Sequence, residues 1–137
     1  MHLQVPYASA GRSKCDVCYG SAGAFEWAIE VKMLRLMGDN GKPNDNILMH
    51  ILSPYAAHRS ALTDTEKLIA SGLGQRQAIA IYSYEYDDWP AAPALDAFAL
   101  LASQKVTLVP AQPRDVTGLI HPVHARASVH AWEIRRR

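Results

Sequence analysis

The chain is short of cysteine, of net charge and of long apolar runs, and each shortage removes a class of protein. Two cysteines in 137 residues cannot frame the disulfide scaffold of a small secreted domain. Fourteen basic residues against thirteen acidic leave a net +1, so no broad basic surface gathers nucleic acid by charge alone, and such contact rests on local patches. The basic clusters are Gly11 to Lys14 and Arg135, Arg136 and Arg137, the latter read as a solvated tail. No apolar run approaches the ~18–20 residues of a membrane span. The opening MHLQVPYAS lacks a charged leader followed by an apolar stretch, so a cytoplasmic location without membrane contact is expected. What is there, 49% hydrophobic and 20% charged, fits a single domain over 1–137 with a real core.

Strands come first along the chain and helices after. His2 to Tyr7, Cys15 to Tyr19 and Phe25 to Arg35 read as a three-strand antiparallel meander, the last two joined by the turn-prone GSAGA. GDNGKPND, Gly38 to Asp45, is a loop. Asp45 or Asn46 can cap a short apolar segment, Ile47 to Leu52, whose type the pattern leaves open. Ser60 to Ser71 is predicted helical, with Leu62, Leu68 and Ile69 on its apolar side, Asp64, Glu66 and Lys67 polar, and Gly72 as a stop. AIAIY, Ala78 to Tyr82, is a buried strand. Pro90 to Ser103 is an alanine-rich helix packing through Leu95, Phe98 and Leu101, Val106 to Val109 another strand, and Val129 to Ile134 part of a last strand or hairpin. The expected fold is α/β: a meander followed by helix, strand, helix and strand, its mixed sheet flanked by helices.

The chemistry concentrates in FEWAIEVKMLR, Phe25 to Arg35. Side chains on a strand alternate between faces, so Glu26, Ala28, Glu30 and Lys32 share one side. A carboxylate and an ammonium that project together from a greasy strand suit metal-assisted phosphodiester hydrolysis: the carboxylate holds a hard cation, and the lysine acts on the attacking water or on developing phosphate charge. Asp16, in KCDVCY, supplies the second carboxylate. With a hairpin centred on Ala22, Asp16 falls opposite Ala28 and diagonal to Glu30.

This order of elements and residues resembles the PD-(D/E)XK, or restriction-endonuclease-like, nuclease superfamily. Asp16 matches the acidic position on the middle meander strand, and Glu30 and Lys32, in EVK, match the pair on the third strand. The resemblance implies a restriction-endonuclease-like core with Asp16, Glu30 and Lys32 catalytic, Asp16 and Glu30 holding Mg²⁺ or Mn²⁺, and DNA as the substrate. Residues 1–13 are too short and turn-rich to form that fold's first helix, so one side of the core is expected to be open. A second copy of the chain in a homodimer, a partner subunit or the Pro90–Ser103 helix is expected to cover it. Lys67, Arg12 and Lys14 are candidate nucleic-acid contacts.

Blander readings stand beside these. Glu30 and Lys32 suit a solvated edge strand, and Asp16 an ordinary surface acid. Asp64 and Lys67 suit an exposed intrahelical pair. Cys15 and Cys18 with His121 and His124 have the inventory of a Cys₂His₂ zinc site, but residues three apart on a strand face opposite ways. His121, His124 and His130 read as structural, with proton transfer near a phosphate as the alternative. A catalytically silent endonuclease-like module that binds nucleic acid or a partner is the competing function.

Overall fold

The computed structural model describes residues 1–8, 13–44 and 47–137. One mixed sheet holds seven strands: β1 (His2–Pro6), β2 (Lys14–Ser21), β3 (Ala24–Leu34), β4 (Arg76–Tyr84), β5 (Val106–Pro110), β6 (Arg114–Val116) and β7 (Ala127–Arg136). Their spatial order is β1-β2-β3-β4-β7-β5, with β6 also paired to β7. β1, β2 and β3 form the expected antiparallel meander, β4 runs parallel to β3, and β7 lies antiparallel between β4 and β5. The helices are α1 (Met49–Leu52), α2 (Ala61–Ser71) and α3 (Ala92–Ala102), with a 3₁₀ turn at Ala56–His58.

Helix α2 begins and ends where its sequence says. The Ser60 side chain accepts a hydrogen bond from Thr63 N, and Gly72 stops the helix in the left-handed conformation at φ 62°. Its rotation differs from the expected one: Ala61, Asp64, Thr65 and Leu68 form the buried side, so Asp64 faces inward. In α3, Leu95 and Phe98 are buried as expected, but Leu101 is exposed and Ala94 and Ala102 take the inner positions. Phe98 packs on Trp132 with ring centroids 5.1 Å apart, a burial that stabilises the fold by roughly 1.5–3 kcal/mol. Trp89, near the start of that helix, is exposed. The Ile47–Leu52 segment is helical only from Met49, and its end residue Leu48 makes no side-chain cap; Asp45 and Asn46 lie outside the described residues.

Helices α1, α2 and α3 contact one another, and the contacts of α2 and α3 with β3, β4, β5 and β7 put all three on one face of the sheet. Ala28, Glu30, Lys32 and Leu34 pair with Gln77, Ile79, Ile81 and Ser83 across β3 and β4, and this row faces the helices. The helices that flank the mixed sheet thus lie on one side: no described helix covers the opposite face, where Trp27, Ile29, Val31, Met33 and Tyr82 remain half-exposed. No described helix is long and apolar enough to cross a membrane.

The hairpin register also departs from expectation. Cys18, not Asp16, lies opposite Ala28, and Val17 lies opposite Ile29. The turn falls on Ala22 and Gly23, between the paired Ser21 and Ala24, which moves the pairing by one residue, and a bulge between Tyr19 and Gly20 moves it by one more. Gly20 sits at φ 115°, and a Cβ there would lie 2.8 Å from Glu26 N, so only glycine fits the bulge. The displacement is two residues, which preserves the face. The pairing of β2 with β3 ends at Val17 and Ile29, and Asp16, the next residue, reaches β3 through its side chain, which bonds Val31 N.

Candidate active site

Asp16, Glu30 and Lys32 open onto one cleft of about 800 Å³, whose lining also includes Lys14, Arg59, Asp64 and Lys67. The three residues matched to the endonuclease pattern are therefore brought together, with Lys14 and Lys67 beside them. Arg12 lies outside the described residues. The solvated-edge reading of Glu30 fails, because its side chain is 3% exposed and β3 is flanked on both sides.

Asp16 leans across from β2 to β3. Its Oδ2 accepts from Val31 N at 2.8 Å, and its Oδ1 from the Gln4 side chain at 3.2 Å. Taking a backbone donor that would otherwise serve the ladder anchors the carboxylate beside the strand that carries Glu30 and Lys32. Glu30 Oε1 accepts from the Tyr7 hydroxyl at 2.6 Å and meets Lys67 Nζ at 3.2 Å. Burial, and next the Asp16 carboxyl beside it, push the Glu30 pKa up to about 7, against the lowering effect of the Tyr7 hydrogen bond. Burial and the Glu30 charge raise the Tyr7 hydroxyl far above its ordinary range, so Tyr7 remains a donor.

Asp64 ties the two lysines. Its Oδ2 lies 3.0 Å from Lys32 Nζ and its Oδ1 3.1 Å from Lys67 Nζ, with its own side chain only 4% exposed. The exposed-pair reading of Asp64 and Lys67 is thereby corrected: the pair faces the cleft. Burial works against the Lys67 ammonium, but the carboxylates of Asp64 and Glu30 outweigh it and raise its pKa. Lys32 Nζ also donates to Arg59 O at 2.5 Å.

Tyr7 and Arg59 carry no signal in the sequence as site residues. Tyr7 reaches Glu30 from beyond the end of β1, and Arg59 acts through its backbone. Asp64 has a partial signal, since Ser60, Asp64 and Lys67 recur at helical spacing on one side.

The cysteines correct another expectation. Cys15 and Cys18 are both fully buried, and each influences the titration of the other, so they lie close together despite their spacing. Burial pushes the Cys18 thiol up to about 12, which makes it an inert core group. The histidines lie elsewhere. Asp39, His121 and His124 are the described group with metal-ligand spacing, their ligand atoms all within 4.8 Å of one another, and no cysteine joins them. As they stand they form a hydrogen-bonded clasp: His124 Nε2 donates to Asp39 Oδ1 at 2.8 Å, and the Tyr86 hydroxyl lies 2.6 Å from His124 Nδ1. His121 Nδ1 accepts from Val123 N and His124 N at 3.1 Å each, which leaves its proton on Nε2, facing Asp39. His130 stacks near Trp132 and is outside the cleft lining.

Set against known protein families, curated proteins and solved structures, the chain finds no match in any of the three.

Proposed function

We propose that the protein is a metal-dependent nuclease that hydrolyses phosphodiester bonds in DNA, with a restriction-endonuclease-like core. The observation that carries this reading is the convergence of Asp16, Glu30 and Lys32 on one cleft from adjacent strands. The strand order β1-β2-β3-β4, antiparallel through the meander and parallel from β3 to β4, supports the fold part of it.

The donor set suits a hard cation. Asp16 and Glu30 offer carboxylate oxygens side by side, and Mg²⁺ or Mn²⁺ takes one or two carboxylates while keeping several waters. The Asp16 and Glu30 carboxyl groups are close enough to share a hydrogen bond, so one cation can reach both. When bound, the ion supplies Lewis-acid charge at the phosphate and a more acidic water. Asp16 and Glu30 hold the ion, Lys32 donates to the attacking water or to the charge that develops on phosphate, and Lys14 and Lys67 meet neighbouring phosphates.

The contact between Lys67 and Glu30 Oε1 at 3.2 Å favours a second reading, in which the ammonium permanently occupies the cation's place and the protein is a silent nucleic-acid-binding or partner-binding module. Plasmid cleavage with Mg²⁺ or Mn²⁺ separates the two. Glu30→Ala is expected to lose metal binding and cleavage together, while Lys32→Ala keeps metal affinity and loses most turnover. Absence of cleavage by the wild type across DNA and RNA substrates selects the silent module; equal cleavage by all three proteins excludes this cleft as its source.

A further inference from the structure

Among the described residues, two that are not glycine have left-handed backbones: Gln4 at φ 54° and Arg59 at φ 48°. Such conformations are costly for side chains with a Cβ, and persist where the surroundings over-determine them. Both residues line the same cleft. Gln4 reaches Asp16 through its side chain, and Arg59 reaches Lys32 through its carbonyl.

The Arg59 conformation is enforced from both sides. Arg59 N donates to Ala56 O and closes the 3₁₀ turn. Ser60, the next residue, is fully buried, caps α2, and donates through its hydroxyl to Ser53 O at 2.6 Å. Ser53 in turn bonds His58 Nδ1 at 2.6 Å. The chain must turn sharply between these anchors, and the left-handed step at Arg59 aims its carbonyl at β3.

A lysine stem is flexible, and its ammonium has three donors in no fixed orientation. Here Arg59 O takes one at 2.5 Å and Asp64 Oδ2 a second at 3.0 Å. We infer that Arg59, through its left-handed carbonyl, and Asp64 are positioning residues that hold the Lys32 ammonium with its one remaining N–H directed to a phosphodiester oxygen or its attacking water in the cleft. The inference rests on the nuclease reading for its chemistry, but not for its geometry.

The test compares Arg59→Val with Arg59→Gly. Both lose the guanidinium, whereas only valine, branched at Cβ, resists the left-handed backbone. Lys32 acylation by acetic anhydride, read by peptide mass spectrometry in metal-free protein with the other lysines as internal standards, reports the tether directly. Acylation is expected to be faster in Arg59→Val than in Arg59→Gly. In Mn²⁺-supported cleavage, kcat is expected to fall about tenfold further in Arg59→Val with KM little different, the sign of a misaimed group. Asp64→Asn keeps the shape and removes one charged anchor; it is expected to show faster Lys32 acylation than the wild type, and it decides the matter if Arg59→Val does not fold. Equal Lys32 acylation across the folded variants and the wild type overturns the inference. Altered acylation with no cleavage by the wild type keeps the positioning role and removes the nuclease reading.

Discussion

The cleft and the histidine clasp both gather acids and bases within hydrogen-bond distance, yet they are built on different ground. Glu30, Lys32, Asp64 and Lys67 stand on β3 and α2, and both carboxylates are nearly inaccessible to solvent. Asp39 stands on a loop and its side chain is 70% exposed; only its partner His124 is buried. The same pairing of opposite charges therefore has different consequences. In the cleft, the removal of one partner strands another in a dry place, while at the clasp water takes over Asp39's share.

The largest effect that sharpens this contrast is on stability. Asp64→Ala leaves Lys67 with Glu30 alone and Lys32 with only the Arg59 carbonyl, and is expected to cost about 3–5 kcal/mol, whereas Asp39→Ala lowers Tm far less. Urea titration of the two variants side by side measures the difference, and similar losses would erase the distinction. A somewhat smaller effect comes from the bulge. Gly20→Ala forces a side chain against Glu26 N and is expected to cost about 1–3 kcal/mol; its hairpin register, read by amide NMR contacts between β2 and β3, should shift and carry Asp16 away from Glu30. A retained register would show that the bulge does not depend on glycine.

The two regions should also answer pH with opposite sign. Glu30, raised from its ordinary 4.5 to about 7, binds its proton more tightly folded than unfolded. Its contribution to stability is complete below about 4.5 and is lost as pH rises through about 7. Asp39 is lowered from its ordinary 3.8, chiefly by the His124 hydrogen bond; its contribution is present above that value and lost as pH falls below it. Glu30→Gln should flatten the stability profile between about pH 4.5 and 7, the range set by the Glu30 values, and Asp39→Asn should act only at the acid end. A Glu30→Gln profile that keeps the wild-type slope would assign the titration to another group. The smallest effect concerns the uncovered sheet face with Trp27, Ile29 and Tyr82 half-exposed: pairing with a second copy is expected at high concentration, and light scattering that shows only monomer would remove the homodimer.

The part of the site that sequence displays is the part governed by strand alternation. Glu30 and Lys32 share a face because they are two residues apart, and no tertiary event changes that. Asp16 keeps its side but not its register, since the turn takes both Ala22 and Gly23 and the bulge at Gly20 depends on φ 115°, a conformation that glycine permits without announcing. Asp64 was half-visible in helical spacing, but its rotation into the cleft depends on how α2 packs. Tyr7 and Arg59 were invisible because one acts from across the sheet and the other through its main chain. In the second half of the chain, β6 is three exposed residues with no apolar pattern to reveal it, and the one-sided placement of the helices follows from connections that periodicity does not encode.

Strand β7 pairs with β4, β5 and β6, although all three precede it in the chain. During synthesis, β5 and β6 emerge with no neighbour and wait until Ala127–Arg136 arrives to receive them, while the meander and β4 can already associate. The order of manufacture thus divides a sheet that is continuous in space: the half that carries the cleft can assemble early, and the far half closes last. Ribosome-arrested chains that stop before Ala127 should already protect β1 to β4 from protease while leaving α3 and β5 open to cleavage, and uniform protection or uniform digestion would show that the two halves do not form in that sequence.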